Sequence, residues 1–338
     1  MKTLLHKLSL PALLFVLASM ILVSCSKEDA QKLKPETLGA TQAAAVNFNE
    51  ELAYRWAPVH YQDVDQTGDY AVGGKADYIT AINFDGDWVG TNNWNNIAGN
   101  YAAAAHVYYS VAETNTHWFI NYAFFHPRDW TDNPFGYYLD QHENDFEGIE
   151  VIVRKDGSTY GALQAMITTF HKDFYSYTVS GSSWQNNHET NDGTITMETY
   201  NNESHPTTGQ EAKGHGLKAY PYVNIVGDGI RYVPGRTASV PTNPDDRNVS
   251  YKLVDVFAAG GLWEQRNNTQ LFNSPSGGLV SSYGDGGANA PWAWNDGDDG
   301  DVQSGEVATD PAKMINIYYK NLGTFDLTYI YNQYKGIN

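Results

Sequence analysis

The stretch "HENDFEGIEVIVR", residues 142–154, carries both the fold signal and the chemistry of this chain. Its second half is rich in β-branched residues, which suit a pleated, half-buried strand. If that strand begins near Asn144, alternate side chains share a face. Asp145, Glu147, Ile149, Val151 and Val153 then fall on one side, and Asn144, Phe146, Glu150 and Ile152 on the other. The Asp145 and Glu147 carboxylates project together, their Cα atoms roughly 7 Å apart. His142, in the turn just before, can swing over them. Two carboxylates aimed at one point repel, and one takes up a proton unless a cation sits between them. A hard cation such as Ca²⁺ or Mg²⁺ would resolve the conflict. A solvated strand end without an ion is the other reading of the same spacing.

On either side of this stretch, short runs rich in Val, Ile, Tyr, Phe and Thr alternate with Gly, Asn and Asp clusters. "HVYYSV", "HWFINYAFF", "GALQAMITTF", "FYSYTV" and "AYPYVNIV" read as strands joined by turns. "RKDGSTYG" is a hairpin signal, with Asp156-Gly157 at its turn. Helical pattern is scarce. "DPAKMINIYYKNL" places Asp310 as N-cap and Pro311 as first helical residue, and "NVSYKLVDVFAAGGLWEQ" suits a short helix or a strand. With no internal repeat and no long linker, the expectation is a mainly β chain. Residues 49–338 would form a single β-sandwich-like domain with long loops and a few short helices.

The chain has 338 residues and a net charge of -18, which argues against a nucleic-acid partner because phosphate binding needs a basic stripe. Its 24 Tyr and 9 Trp suit the lining of a sugar or ligand cleft, or simply an all-β composition. Lys2 and Lys7 precede the apolar run "LSLPALLFVLASMILV", which reads as a signal peptide over residues 1–24 rather than a membrane span. The run ends in "LVSC", which resembles the bacterial lipobox and makes Cys25 the expected lipidated residue. Cys25 is the chain's only cysteine, so it leaves neither a disulfide nor a catalytic thiol. Ser26, Lys27, Glu28 and Asp29 resemble the export signal of Bacteroidetes surface lipoproteins. Residues 25–48 then read as a polar, Ala-rich tether. The expected location is the outer membrane or cell surface, with the membrane contacted through acyl chains on Cys25.

Other constellations are weaker. His215 lies between two glycines in "KGHGLKAYP", as a cleft-lining group or an exposed ring in a tight turn. His126 and His171 suit hydrogen-bonded structural roles. "WNDGDDGDVQSGE" opens like a calcium loop but has Gly297 at the third position, which favours a flexible acidic loop. "DVDQTGDY", with Asp63 and Asp65, lacks the closing Glu and reads as a plain turn. There is no P-loop and no G-x-S-x-G.

"HENDFEG" resembles the signature "GHRHDWEG" of the necrosis-inducing cytolysin family, the NLP toxins of plant pathogens. It is also similar to the "H-x-x-D-W-E" of proteins related to vacuolar protein sorting-associated protein 62. Upstream, "NYAFFHPRDW" resembles the toxins' "YAWYFPKD". "AKGHGLKAYP" and "YRWAPVHY" resemble elements of the vacuolar-sorting-related group, and the motifs keep their order over roughly residues 54–222. The resemblance implies a divalent cation held by Asp129, His142, Asp145 and Glu147, with Asp132 and Asp140 competing for the place of Asp129. Asn144 and Phe146 stand where the signature has His and Trp, so a proton-transfer role at position 144 is not implied. The leading expectation is a cell-surface lipoprotein whose cation helps bind a glycan or lipid headgroup. A metal-dependent hydrolase of polysaccharide or phosphoester, and a scaffold with a structural ion, are the alternatives.

Overall fold

The structure is a computed structural model that describes residues 40–133, 141–272, 290–297 and 305–338, with side chains described from residue 48 onward. The signal peptide, Cys25, most of the tether, Asp140 and the middle of the acidic "WNDGDDGDVQSGE" run lie outside the described residues. The chain divides into two units, Met1–Thr41 and Gln42–Asn338, and the fold described is that of the second.

Order starts earlier than the sequence suggests. Helix α1 spans Ala40–Trp56, where a tether to residue 48 was expected. The stretch "TQAAAV" has no apolar period, but alanine is the best helix former and lets the helix extend N-terminally. Its C-terminal turns bury Leu52, Ala53 and Trp56 and so tie it to the core.

The body is mainly β, as expected. Its strands include β1 (Val59–Asp63), β2 (His106–Thr114), β3 (His117–Asp129), β4 (His142–Arg154), β5 (Ala162–Phe170) and β6 (Asp173–Thr178). These belong to one sheet, 13-stranded among the described residues. From β2 to β6 it is an antiparallel meander, and beyond β2 it continues through Val249–Asp255 and Gly229–Gly235 to β1 and Glu203–Gln210. The sheet curls, so that its edge strand Leu217–Ala219 comes back against β5. The sandwich-like packing is thus made by one curled sheet. The β4–β5 hairpin turns at Asp156-Gly157, with Gly157 at φ +92°, as its sequence predicts.

Both faces of the central strands are buried. Tyr122, Phe124, Ile149 and Val151 face the inner core, with Leu217, Tyr232 and Tyr251 arriving from the other arm of the curl. Phe119, Phe125, Phe146 and Ile152 face an outer core covered by Leu262, Trp294, Met314 and Tyr318. This double burial explains why β3 reads as a nearly continuous apolar run rather than a clean alternation. "NVSYKLVDVFAAGGLWEQ" resolves into the strand Val249–Asp255 followed by a short turn of helix, Leu262–Gln265. The helix Pro311–Tyr318 begins at Asp310 and Pro311 as expected. The Asp310 side chain does not cap it, and instead accepts from Tyr329 Oη at 2.9 Å and Lys335 Nζ at 2.8 Å.

Candidate metal centre

β3 and β4 hold one register from His117 opposite Arg154 to Asp129 opposite His142. The ladder skips a single position, where Pro127 faces Asn144. Pro127 has no N–H to give, and Asn144 sits at φ +65°, in the left-handed region that Asn tolerates better than most residues. Strict alternation would put His142 and Asp145 on opposite faces. The left-handed residue between them breaks the alternation and brings them together. The strand therefore begins at His142, before the expected start near Asn144, and His142 is a strand residue rather than a turn residue. Asn144 itself points away from the cluster. Its amide donates to Gly90 O at 3.0 Å, and its Oδ1 accepts from Asn93 Nδ2 at 2.6 Å.

Asp129, His142 and Asp145 converge, with one ligand atom from each lying within 4.8 Å of the others. Atoms bound to a single Ca²⁺ lie at most about 5 Å apart, so the spread suits one ion of that size. His142 Nδ1 donates to Glu143 O at 3.1 Å, which fixes the ring and leaves Nε2 facing Asp129 Oδ2 at 3.2 Å. A carbonyl holding the far nitrogen is the usual way a protein orients an imidazole ligand. Burial opposes charge on His142, but the Asp129 and Asp145 carboxylates outweigh it and hold the imidazolium above its ordinary range. Burial raises the pKa of Asp129, and the nearby Asp145 adds to the rise. The side chains of His142 and Asp129 keep 13% and 15% exposure, so the cluster opens to solvent on one side.

Behind the cluster lies a buried polar layer. Asp145 Oδ2 accepts from His215 Nδ1 at 2.9 Å, and His215 Nε2 donates to Asp77 Oδ1 at 3.3 Å. His215 is fully buried, so its ring is not the exposed one that a plain turn would give. Burial alone would lower its pKa, but bonds to Asp145 and Asp77 push it up to about 10. Burial alone would raise Asp145, but the bond and charge of His215 hold it below the usual carboxylate value. His126 stacks on His215 with ring centroids 3.8 Å apart and donates to Gln210 Oε1 at 3.1 Å. Burial and the adjacent His215 charge keep His126 neutral. Its structural role is the expected one.

Glu147 lies next to this group but is held otherwise. Its Oε1 accepts from the His171 N–H at 2.9 Å and its Oε2 from the Thr169 hydroxyl. Burial and the Asp145 charge raise its pKa to about 8. The three-residue cluster forms without it. His171 stands at the rim, half-exposed, with Nε2 3.2 Å from Glu211 Oε1. Asp132 pairs with Lys213 at 3.0 Å and stays outside the cluster. Asp65 closes its own turn, its Oδ1 accepting from Thr67 N at 2.6 Å, in keeping with a plain turn. Gly148 completes the motif for a steric reason. A Cβ there would lie 2.3 Å from Trp294, whose Nε1 donates to Phe146 O at 2.9 Å.

Sequence reasoning missed Asp77, Glu143 and the Thr169 and His171 contacts. Asp77 sits in "GGKADY", which has no period and no ligand spacing. Glu143 accepts from Trp94 N at 2.7 Å, and burial raises its pKa to about 7. An open groove of about 770 Å³ is lined by Asp63, Asp65, Gln66, Glu211, Lys213 and Asp228 among others, and hydrogen bonds from Asp65 and Lys213 to Asp77 link it to His215.

No protein-family model matches the chain, and no curated protein matches it. Among solved structures it is similar to a protein described as a toxin fold for microbial attack and plant defense, with 16% identity and a TM-score of 0.30 over 73% of this chain and 86% of that one. The non-toxic HaNLP3 protein gives 15% and 0.31 over 69% and 83%. NLPPya in complex with glucosamine gives 15% and 0.29 over 73% and 86%.

Proposed function

We propose that the protein is a divalent-cation-dependent binding module. Asp129, His142 and Asp145 would hold the ion, and the ion would meet hydroxyl groups of a glycan or lipid headgroup. The observation that carries this reading is the convergence of two carboxylates and an oriented imidazole at a place still open to solvent. A purely structural ion needs no open side. Two carboxylates suit Ca²⁺ or Mg²⁺, and the imidazole adds a preference for Mn²⁺ or Zn²⁺. Binding is favoured over hydrolysis because Glu147, the candidate acid or base, has both oxygens engaged by Thr169 and His171.

Calorimetric titration of the full chain with each of the four ions tests the first half. One ion should bind per chain, and Asp129→Ala should abolish it; no uptake of any ion sinks the reading. A glycan array with and without chelator tests the second half, where hits should vanish on chelation. Retained ligand without cleavage separates binding from hydrolysis.

Kinship with the cytolysin family and anchoring at a cell surface through lipidated Cys25 belong to the same proposal. They rest on the motif order and on the "LVSC" stretch. Radiolabelled palmitate should enter the chain when it is made in a lipoprotein-processing bacterium, and Cys25→Ser should block it.

A further inference from the structure

We infer that Asp77 is a positioning residue for the cation site, acting through His215, and that it ties the ion to the walls of the neighbouring groove. The inference rests on the cation reading above. Asp77 is fully buried and contributes no atom to the three-residue cluster. Its carboxylate gathers four donors. Oδ1 accepts from His215 Nε2 at 3.3 Å, Trp130 Nε1 at 2.9 Å and the Lys213 N–H at 2.9 Å. Oδ2 accepts from the Asp65 N–H at 2.9 Å.

Each bond has a consequence. An imidazole ring is rigid, so a donor fixed at Nε2 also fixes the direction of Nδ1. Nδ1 then fixes Asp145 Oδ2, and the rotation of that carboxylate about its own axis is set. Asp65 and Lys213 both line the groove, so the same carboxylate holds two of its walls against His215. Left-handed backbone at Lys213 (φ +73°) and His215 (φ +56°) turns the loop so that the Lys213 N–H and the His215 ring can both reach Asp77. A group hydrogen-bonded to a metal ligand typically changes metal affinity without touching the metal, and His215, which Asp77 orients, is such a group for Asp145.

The test is the affinity of the full chain for Mn²⁺ alone, measured by calorimetry, with circular dichroism as the check on folding. Asp77→Asn keeps the shape and removes the charge. It should weaken Mn²⁺ binding by roughly 10–100-fold. Trp130→Phe removes one bond to the same oxygen and leaves the His215 link in place, so it should lower the melting temperature while leaving the Mn²⁺ affinity within about twofold of wild type. Equal losses of affinity in the two variants would show Asp77 to be merely structural and overturn the inference. So would wild-type affinity in folded Asp77→Asn.

If Asp77→Asn does not fold, His215→Asn serves instead. Its amide can reach Asp145 from the place of Nδ1 but cannot reach Asp77. Wild-type affinity in that variant overturns the inference, and a loss of the same size supports it. Uptake by wild type with no effect of either variant defeats the role of Asp77 alone. No uptake by wild type defeats the cation reading and this inference together.

Discussion

Asp145 and Glu150 lie on the same strand, and each is only 1% exposed, yet they are held in opposite states. Asp145 faces His215, which neutralises it and keeps it ionised below the usual carboxylate range. Glu150 shares a face with Phe146 and Ile152, which pack in the outer core, and accepts from Asn121 Nδ2 at 3.0 Å. Burial pushes its pKa well above the usual range, and the Asn121 bond only partly opposes that. Burial alone therefore does not make a carboxylate functional. The site end of β4 has a counter-charge delivered by a distant loop, and Glu150 has none among the described residues. One acid is held towards its charged form by a counter-charge, and the other is pushed towards its neutral form inside the fold.

The largest expected effect comes from breaking the charged member of this pair. Asp145→Asn leaves His215 facing one carboxylate instead of two. Removing one partner of a buried ion pair costs about 3 kcal/mol or more, so urea denaturation of the metal-free protein should show a loss of that order. The folded pKa of Asp145 is depressed, so its contribution is present above the unfolded value and disappears as pH falls through the folded one. The deficit of the variant should therefore shrink in acid. An unchanged midpoint at neutral pH would mean that the His215 pair does not hold the strand end.

Glu150→Gln should act in the opposite direction. The folded pKa of Glu150 is raised, so the native state holds a proton that the unfolded chain releases above about 4.5. Stability then falls as pH rises from that point towards the raised value, at most by about 1.4 kcal/mol per pH unit. Glutamine cannot ionise. The variant should match wild type near pH 4, exceed it at pH 8, and show a flatter dependence of melting temperature on pH between them. A variant less stable than wild type at pH 8 would break the contrast between the two acids.

The contrast also shows what a sequence can disclose. Asp129, His142 and Asp145 were legible because they lie in two short motifs, and the strand pairing that joins those motifs is local in the chain. The mainly β character was legible from β-branched runs and turn residues such as Asp156-Gly157. Asp77 was not legible. It meets Asp145 only through His215, across three parts of the chain that only the curl of the sheet brings together. The helical start at Ala40 was missed because an Ala-rich segment without apolar period looks the same as a tether until the apolar turns that follow it are seen to dock. Parity failed at one residue. Period-2 reasoning puts Asp145 and Glu147 together and expects His142 to swing over them from a turn, whereas His142 lies on the strand and meets Asp145 across the left-handed Asn144.

That residue supplies the smallest and most discriminating test. Asn144→Gly keeps the left-handed backbone at no steric cost but loses the bonds with Gly90 and Asn93, so it should cost about 1 kcal/mol. Asn144→Ala loses the same bonds and adds the strain of a Cβ at positive φ, about 1 kcal/mol more. The difference between the two variants isolates the backbone term. Cation affinity should follow the backbone rather than the amide. Asn144→Gly should bind Mn²⁺ as wild type does, whereas Asn144→Ala should bind it more weakly as the strand relaxes towards ordinary alternation and turns His142 away from Asp145. Equal affinities in glycine and alanine variants of equal stability would remove the left-handed turn from the account of the site, and leave the meeting of His142 with Asp145 to the pairing of His142 with Asp129.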